Sequence, residues 1–200
     1  MFTGIVAGTA PIVEIGGDDS VRTLSVDLNG FDSDLDIGAS VSLDGVCMTV
    51  VNSDNGIVSF DAIYETLDRT TLSDRKVGDL LNVERSLRLG DELGGHILSG
   101  HIIGTAEILK RDEVGDGVDF LISIPDGCNQ FILEKGYIAV DGMSLTVGKC
   151  HGDGFFLHII PETLRITSIG SKSVGDLVNI EIDSRTQAVV EAMIRMGVES

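Results

Sequence analysis

The sequence predicts an all-β protein written twice: two tandem small domains, each a β-barrel or sandwich, followed by a C-terminal α-helix. Three observations predict it. From Val41 to Glu84 and from Ile138 to Glu181 the chain aligns with itself, without a gap, at an offset of 97. Short runs rich in β-branched residues, bounded by turn residues, fill both copies. Sustained helical periodicity is concentrated at the end of the chain. A unit of about 95 residues is too long for a solenoid repeat and fits a small domain.

The repeat is specific in its parts. SLDGVCMTV (42–50) answers AVDGMSLTV (139–147), ETLDRTTL (65–72) answers ETLRITSI (162–169), and KVGDLLNVE (76–84) answers SVGDLVNIE (173–181). Upstream, GIVAGTA (4–10) answers GHIIGTA (100–106) at an offset of 96, so one residue has been gained within the second copy. Strands are expected over 21–28, 57–63 and 80–84 in the first copy. In the second they are expected over 119–124, 155–160 and 177–183, with turns at GGDD (16–19), SDNG (53–56), both VGD triplets and GDG (115–117, 152–154). Residues 126–136, DGCNQFILEKG, read as a short helix between Asp126 and Gly136. The better helix is 184–198, with Val189, Met193 and Met196 on one side and Val190, Ile194 and Val198 adjacent. Its broad apolar face suits either packing on its own domain or an oligomer contact.

Composition narrows the function. With 42% apolar residues in a chain of 200, a real core can form. A net charge of −18 excludes nucleic acid and anionic membrane surfaces as partners, because phosphate neutralisation needs clustered Lys and Arg. Salt adaptation and ordinary solubility both account for so acidic a chain. Three cysteines (Cys47, Cys128, Cys150) without C-x-x-C spacing argue against a disulfide framework and for a reducing compartment. MFTGIVAGTA lacks the basic and apolar regions of a signal peptide, and no stretch approaches the roughly 18 apolar residues of a membrane span. A cytoplasmic protein is expected.

The two D-G pairs, at Asp44 and Asp141, are turns that re-enter strands. Alternation puts Cys47 and Thr49 on one face, with Val46 and Met48 on the other; Ser144 and Thr146 repeat the arrangement. The local structure is repeated while its nucleophilic position changes from thiol to hydroxyl, which a packing role alone does not explain. The junction LGDELGGHILSGH (89–101) carries His96 and His101 among Gly and Ser. H-x₄-H lacks further ligands nearby, so a metal is not expected, and neither phosphate-loop motif is present. A His in such a loop suits ligand binding, acid–base work or a capped turn.

Taken together, MFTGIV, the two D-G frames, LGGHILSGH and the two ETL segments followed by VGD turns resemble the riboflavin synthase family, from Met1 to about Ala192. The resemblance implies two six-stranded Greek-key barrels, over 1–96 and 97–186, with a helix over 187–200 that joins three subunits. It implies dismutation of two molecules of 6,7-dimethyl-8-ribityllumazine by transfer of a four-carbon unit, without metal or organic cofactor. One pocket is then expected from Gly4, Ile5, Val6, Cys47, Met48, Thr49 and the run Asp61, Ala62, Ile63, Tyr64, Glu65, Thr66. The other is expected from Gly100, His101, Ile102, Ser144, Leu145, Thr146 and the run Ile160, Pro161, Glu162, Thr163, Leu164, Arg165. Lys135 matches a position reaching a neighbouring subunit's ligand, and Ser40 and Asp183 match further catalytic candidates. Ser144 and His101 are expected around one substrate and Cys47 around the other. A non-catalytic lumazine- or flavin-binding antenna protein shares the fold, but retention of Cys47, His101, Ser144 and Lys135 favours the enzyme.

Overall fold

A computed structural model of the chain describes residues 1–18, 20–152 and 154–197. Asp19 and Asp153 of the expected turns, and Val198 of the expected helix, lie outside the described residues. The first repeat contains β1 (Gly8–Gly17), β2 (Val21–Asp27), β3 (Ser40–Leu43), β4 (Val46–Asp54), β5 (Ile57–Ile63), α1 (Tyr64–Arg69) and β6 (Leu80–Arg85). Its strands close into a barrel in the order β1-β2-β5-β4-β3-β6. Alternation decides the inside: Val58, Phe60 and Ala62 of β5 are fully buried, while Asp61 and Ile63 face out.

The second repeat contains β7 (Gly104–Val114), β8 (Gly117–Ser123), β9 (Tyr137–Val140), β10 (Met143–Thr146), β11 (Cys150–His151), β12 (Gly154–Ile159), α2 (Pro161–Ile166) and β13 (Leu177–Ile182). Helix α3 (Ser184–Arg195) follows. Here the strands form one seven-stranded sheet, β10-β9-β13-β7-β8-β12-β11, rather than six closed strands. The cyclic order is that of the first barrel, with β10 and β11 as the two halves of β4. In β4 the register with β5 shifts between Val50 and Asn52. At the equivalent place the second repeat has Gly148, where a Cβ would lie 2.8 Å from the Phe156 carbonyl oxygen. A bulge position filled by glycine interrupts the strand. The Gly148 N–H still donates to the Phe156 carbonyl (2.8 Å) and the Phe156 N–H to that of Lys149 (2.9 Å), bridging the seam.

Residues 126–136 do not form an α-helix; a single 3₁₀ turn spans Asn129–Phe131. Cys128 and Ile132 are drawn into the second barrel's core, and so short a segment gains too little from helical bonds to resist that. The six-residue helices α1 and α2 fall on the repeated ETL segments, which are too short to display a 3.6-residue period. Helix α3 has no buried residue, and Val189, Met193 and Ile194 are exposed along it.

The D-G turns meet where the barrels join. Gly45 and Gly142 have φ near +83° and +80°, and a Cβ on either would come within 3 Å of the other's backbone nitrogen. Both Asp side chains are wholly buried. Asp44 accepts from the Asn82 N–H (2.8 Å) and from Arg75 (2.6 Å); Asp141 accepts from the Asn179 N–H (2.7 Å) and faces the Lys172 ammonium at 3.4 Å. Asn82 donates to the Asp141 carbonyl (2.9 Å), and Asn179 donates to that of Asp44 (2.9 Å). Their side-chain oxygens accept from the Ser168 and Thr71 N–H groups at 2.7 and 2.8 Å. Each barrel thus satisfies the other's buried backbone.

Candidate active site

The two ends of the repeat leaders cross. Phe2 and Leu98 exchange backbone hydrogen bonds, the Phe2 N–H donating at 2.9 Å and the Leu98 N–H at 3.0 Å. Beyond that bridge the leaders run to opposite barrels. The Ser144 N–H donates to the Gly4 carbonyl (2.8 Å), and the Cys47 N–H donates to the Gly100 carbonyl (2.9 Å). Both glycines are required: their φ angles are +75° and +79°, and a Cβ would lie 2.5 Å from the Cβ of Ser144 or Cys47. Val6 is buried in the second barrel's core, and Ile102 packs against the first's.

This reverses the expected grouping. Gly4 and Val6 belong with Ser144, and Gly100, His101 and Ile102 belong with Cys47. His101 is consequently on the Cys47 side, and the residue that meets Ser144 is His96. Sequence adjacency suggested that each leader serves its own repeat; the antiparallel bridge between the leaders sends each across.

The Cys47 cavity, about 210 Å³, is lined by Val46, Cys47, Ile63, Glu65, Thr66, Gly100, His101 and Ile102, with Arg69 and Thr70. Thr49 faces solvent two pairs along, opposite Ser40 on β3. Asp61 accepts from the Thr23 hydroxyl at 2.7 Å on the exposed face of β5. Met48 and Ala62 point into the barrel core and are not among the residues lining the Cys47 cavity. Tyr64 is exposed beside them.

The Ser144 cavity, about 380 Å³, is lined by Lys135, Ser144, Leu145, Thr146, Val147, Gly148, His158, Ile159, Ile160 and Thr163. Pro161 opens α2, Leu164 packs on the core, and Arg165 makes two hydrogen bonds to Glu162. Ile5 is half exposed beside Gly94. A further cavity, about 470 Å³, lies between the Arg75 and Lys172 turns and is lined by neither nucleophile.

His96 is the residue that sequence reasoning left out of the site. Its Nδ1 lies 2.6 Å from the Ser144 hydroxyl, and its ring stacks on Tyr137 with centroids 5.0 Å apart. The side chain is 7% exposed, and burial lowers its pKa, with Asp183 opposing and Arg185 assisting. At neutral pH a neutral imidazole therefore adjoins a hydroxyl, an arrangement that can take or return a proton. Gly95 makes the approach possible, since a Cβ there would lie 2.9 Å from the Ser144 hydroxyl. Those two glycines before His96 were the available signal.

Asp183 caps α3, accepting from the Thr186 hydroxyl (2.7 Å) and the Thr186 N–H (3.1 Å). Burial works to raise its pKa, but these bonds and His96 nearby hold it below the usual carboxylate range. The two pockets also differ at their rims, where the His158–Asp119 pair (2.6 Å) stands in place of Asp61 and Thr23.

Two repeats of one strand order, each carrying a pocket whose nucleophile strand is bonded by the other repeat's leader, with a thiol in one and a hydroxyl–imidazole pair in the other, define a duplicated ligand-binding protein with non-equivalent sites. A lumazine binding domain matches twice, over residues 3–86 and 99–183. The chain belongs to the riboflavin synthase family of lumazine-binding-domain proteins. It is 46% identical to riboflavin synthase of Escherichia coli (strain K12) over 198 residues, 98% of this chain and 93% of that one. It is 42% identical to riboflavin synthase of Buchnera aphidicola subsp. Schizaphis graminum, over 98% of this chain and 95% of that one. Among solved structures, LumP complexed with riboflavin superposes with a TM-score of 0.85 at 28% identity, covering 92% of this chain and all of LumP (100%). LumP complexed with 6,7-dimethyl-8-(1'-D-ribityl) lumazine gives 0.82 at 27% identity, covering 90% and 98%.

Proposed function

We infer that this chain is a riboflavin synthase, a transferase that dismutates two molecules of 6,7-dimethyl-8-ribityllumazine. One lumazine gives up a four-carbon unit and leaves as 5-amino-6-ribitylaminouracil; the other accepts the unit and becomes riboflavin. The carbons lost by one substrate are gained by its twin. The observation that carries the reading is near-complete coverage at 46% identity to a riboflavin synthase.

The crossed pockets suit the chemistry. Two copies of one substrate must be treated differently, and similar cavities, one lined by Cys47 and His101 and the other by Ser144 with His96 bonded behind it, meet that need. Ser144 and His96 hold the donor–acceptor pair able to remove the acidic C7-methyl proton, and Cys47 supplies a nucleophile of the type that adds at C7. Ser40 and Asp183 act at the edges, and Lys135 reaches across a subunit boundary. Holding the lumazines face to face makes their reaction effectively unimolecular. The exposed Val189, Met193 and Ile194 of α3 support a homotrimer in which the first pocket of one subunit faces the second of a neighbour. Three free cysteines support a cytoplasmic location.

LumP, whose crystals hold lumazine, riboflavin or flavin mononucleotide, motivates a second reading, a binder without turnover. Incubating the untagged protein with 6,7-dimethyl-8-ribityllumazine alone separates the two. One riboflavin per two lumazines consumed is expected; tight binding with altered fluorescence and no riboflavin would make the chain a carrier.

A further inference from the structure

The repeated motifs KVGDLLNVE and SVGDLVNIE each end in a glutamate that lines neither the Cys47 nor the Ser144 cavity. Both side chains are buried, Glu84 with 7% and Glu181 with 4% exposure. Glu84 accepts from the Thr3 N–H (2.6 Å), the Thr3 hydroxyl (2.7 Å) and the Gly4 N–H (3.0 Å). Glu181 repeats the pattern, accepting from the Ser99 N–H (2.7 Å), the Ser99 hydroxyl (2.7 Å) and the Gly100 N–H (3.0 Å). Among the described residues neither has a salt-bridge partner, so each carboxylate is held by these donors in place of a cation.

Gly4 and Gly100 have no side chain, so only backbone bonds can hold them in place. Each uses its N–H on the glutamate and its carbonyl on the nucleophile strand of the other barrel. The path from Glu84 is one residue long: Glu84 to the Gly4 N–H, then the Gly4 carbonyl to the Ser144 N–H, beside the Ser144–His96 contact. The path from Glu181 runs through Gly100 to Cys47 and His101 in the same way.

We propose that Glu84 and Glu181 are positioning residues with crossed targets: Glu84, on the first barrel, orients Ser144 and His96 in the second, and Glu181, on the second, orients Cys47 in the first. Burial raises the pKa of both carboxyls, opposed by the leader hydrogen bonds and by the N-terminal amine at Glu84 or His101 at Glu181. The inference rests on the proposed reaction only for its effect on turnover; the geometric claim stands apart from it.

The test uses the full chain with Glu84→Gln or Glu181→Gln. An amide offers one acceptor oxygen where three donors converge on two, so it turns an NH₂ group against one leader N–H. Cys47 reports on one pocket through its alkylation rate by iodoacetamide, read on its own peptide by mass spectrometry. His96 reports on the other through its imidazole titration by NMR. Glu181→Gln is expected to change the Cys47 rate several-fold and leave His96 in place; Glu84→Gln is expected to move His96 and leave Cys47 unchanged. Both are expected to lower kcat by about tenfold to a hundredfold, the loss that follows a displaced reacting group. If each variant moves the reporter in its own barrel, or both move both reporters equally, the proposal is overturned. If the wild-type protein makes no riboflavin, the functional reading fails while the two reporters still decide the crossing. Should either Gln variant not fold, Thr3→Ala and Ser99→Ala remove one donor each and carry the same expectations for the two reporters.

Discussion

Replacing Asp44 by Asn is expected to flatten the dependence of stability on pH below neutrality. Asp44 sits wholly buried at the junction of the barrels, and its pKa is pushed up from 3.8 to about 6, first by burial and then by the charge of Asp141, with Arg75 opposing. A folded-state pKa above the unfolded value means that the folded protein binds the proton more tightly. The contribution is therefore complete below about pH 4 and is lost as pH rises through about 6. At about 1.4 kcal/mol per pH unit, the interval is worth about 3 kcal/mol. The acidic surface, with a net charge of −18, changes stability in the same direction as it protonates, so the measured quantity must be the difference between wild type and Asp44→Asn. Urea unfolding between pH 4 and 8 at one protein concentration supplies it. The wild type should gain about 3 kcal/mol more than the variant on acidification across this range. Parallel curves for the two proteins would show that Asp44 does not titrate between the folded and unfolded states, and would refute the argument from its burial.

Other outcomes follow from the same geometry. Gly100→Ala combines a left-handed backbone, about 1–2 kcal/mol, with a clash against Cys47, about 1–3 kcal/mol, and urea unfolding should register both. Gly78→Ala, at φ +97° in open space, should show the backbone cost alone; equal losses at both sites would remove the case for tight packing of Gly100 on Cys47. Asn82→Ala strands the Ser168 N–H and the Asp141 carbonyl at the barrel junction and should cost about 2–6 kcal/mol in thermal or urea unfolding. In riboflavin assays Cys47→Ser should retain part of the activity and Ser144→Ala should lose much of it, and equal effects would argue against a division of roles.

Much of this architecture was legible in the chain. The offset of 97 exposed the duplication, because the D-G turns and the alternation behind them are local rules that any copy must obey. Alternation also separated Cys47 from Met48 onto opposite faces of the strand, since side-chain direction along a strand depends only on parity, but the expectation of Met48 in the pocket failed because its face is the barrel core. The expected strands of both copies match β2, β5, β6, β8, β12 and β13 to within a residue or two, for the same reason. Where local rules competed with packing they failed. Residues 126–136 carry helix signals but surrender Cys128 and Ile132 to the second core.

What the sequence by itself determined is that there are two pockets, alike in frame and different at one nucleophile. Which repeat's leader completes which pocket was decided only by the tertiary structure. That choice rests on four backbone hydrogen bonds, two joining Phe2 to Leu98, one joining Gly4 to Ser144 and one joining Gly100 to Cys47. Backbone bonds carry no residue signature, and their partners are about a hundred or more residues apart in three of the four cases or half that in the fourth, so no local periodicity records them. The same holds for His96: its neighbours in the chain mark a flexible turn, and only the folded approach of Gly95 to Ser144 turns it into a chemical group.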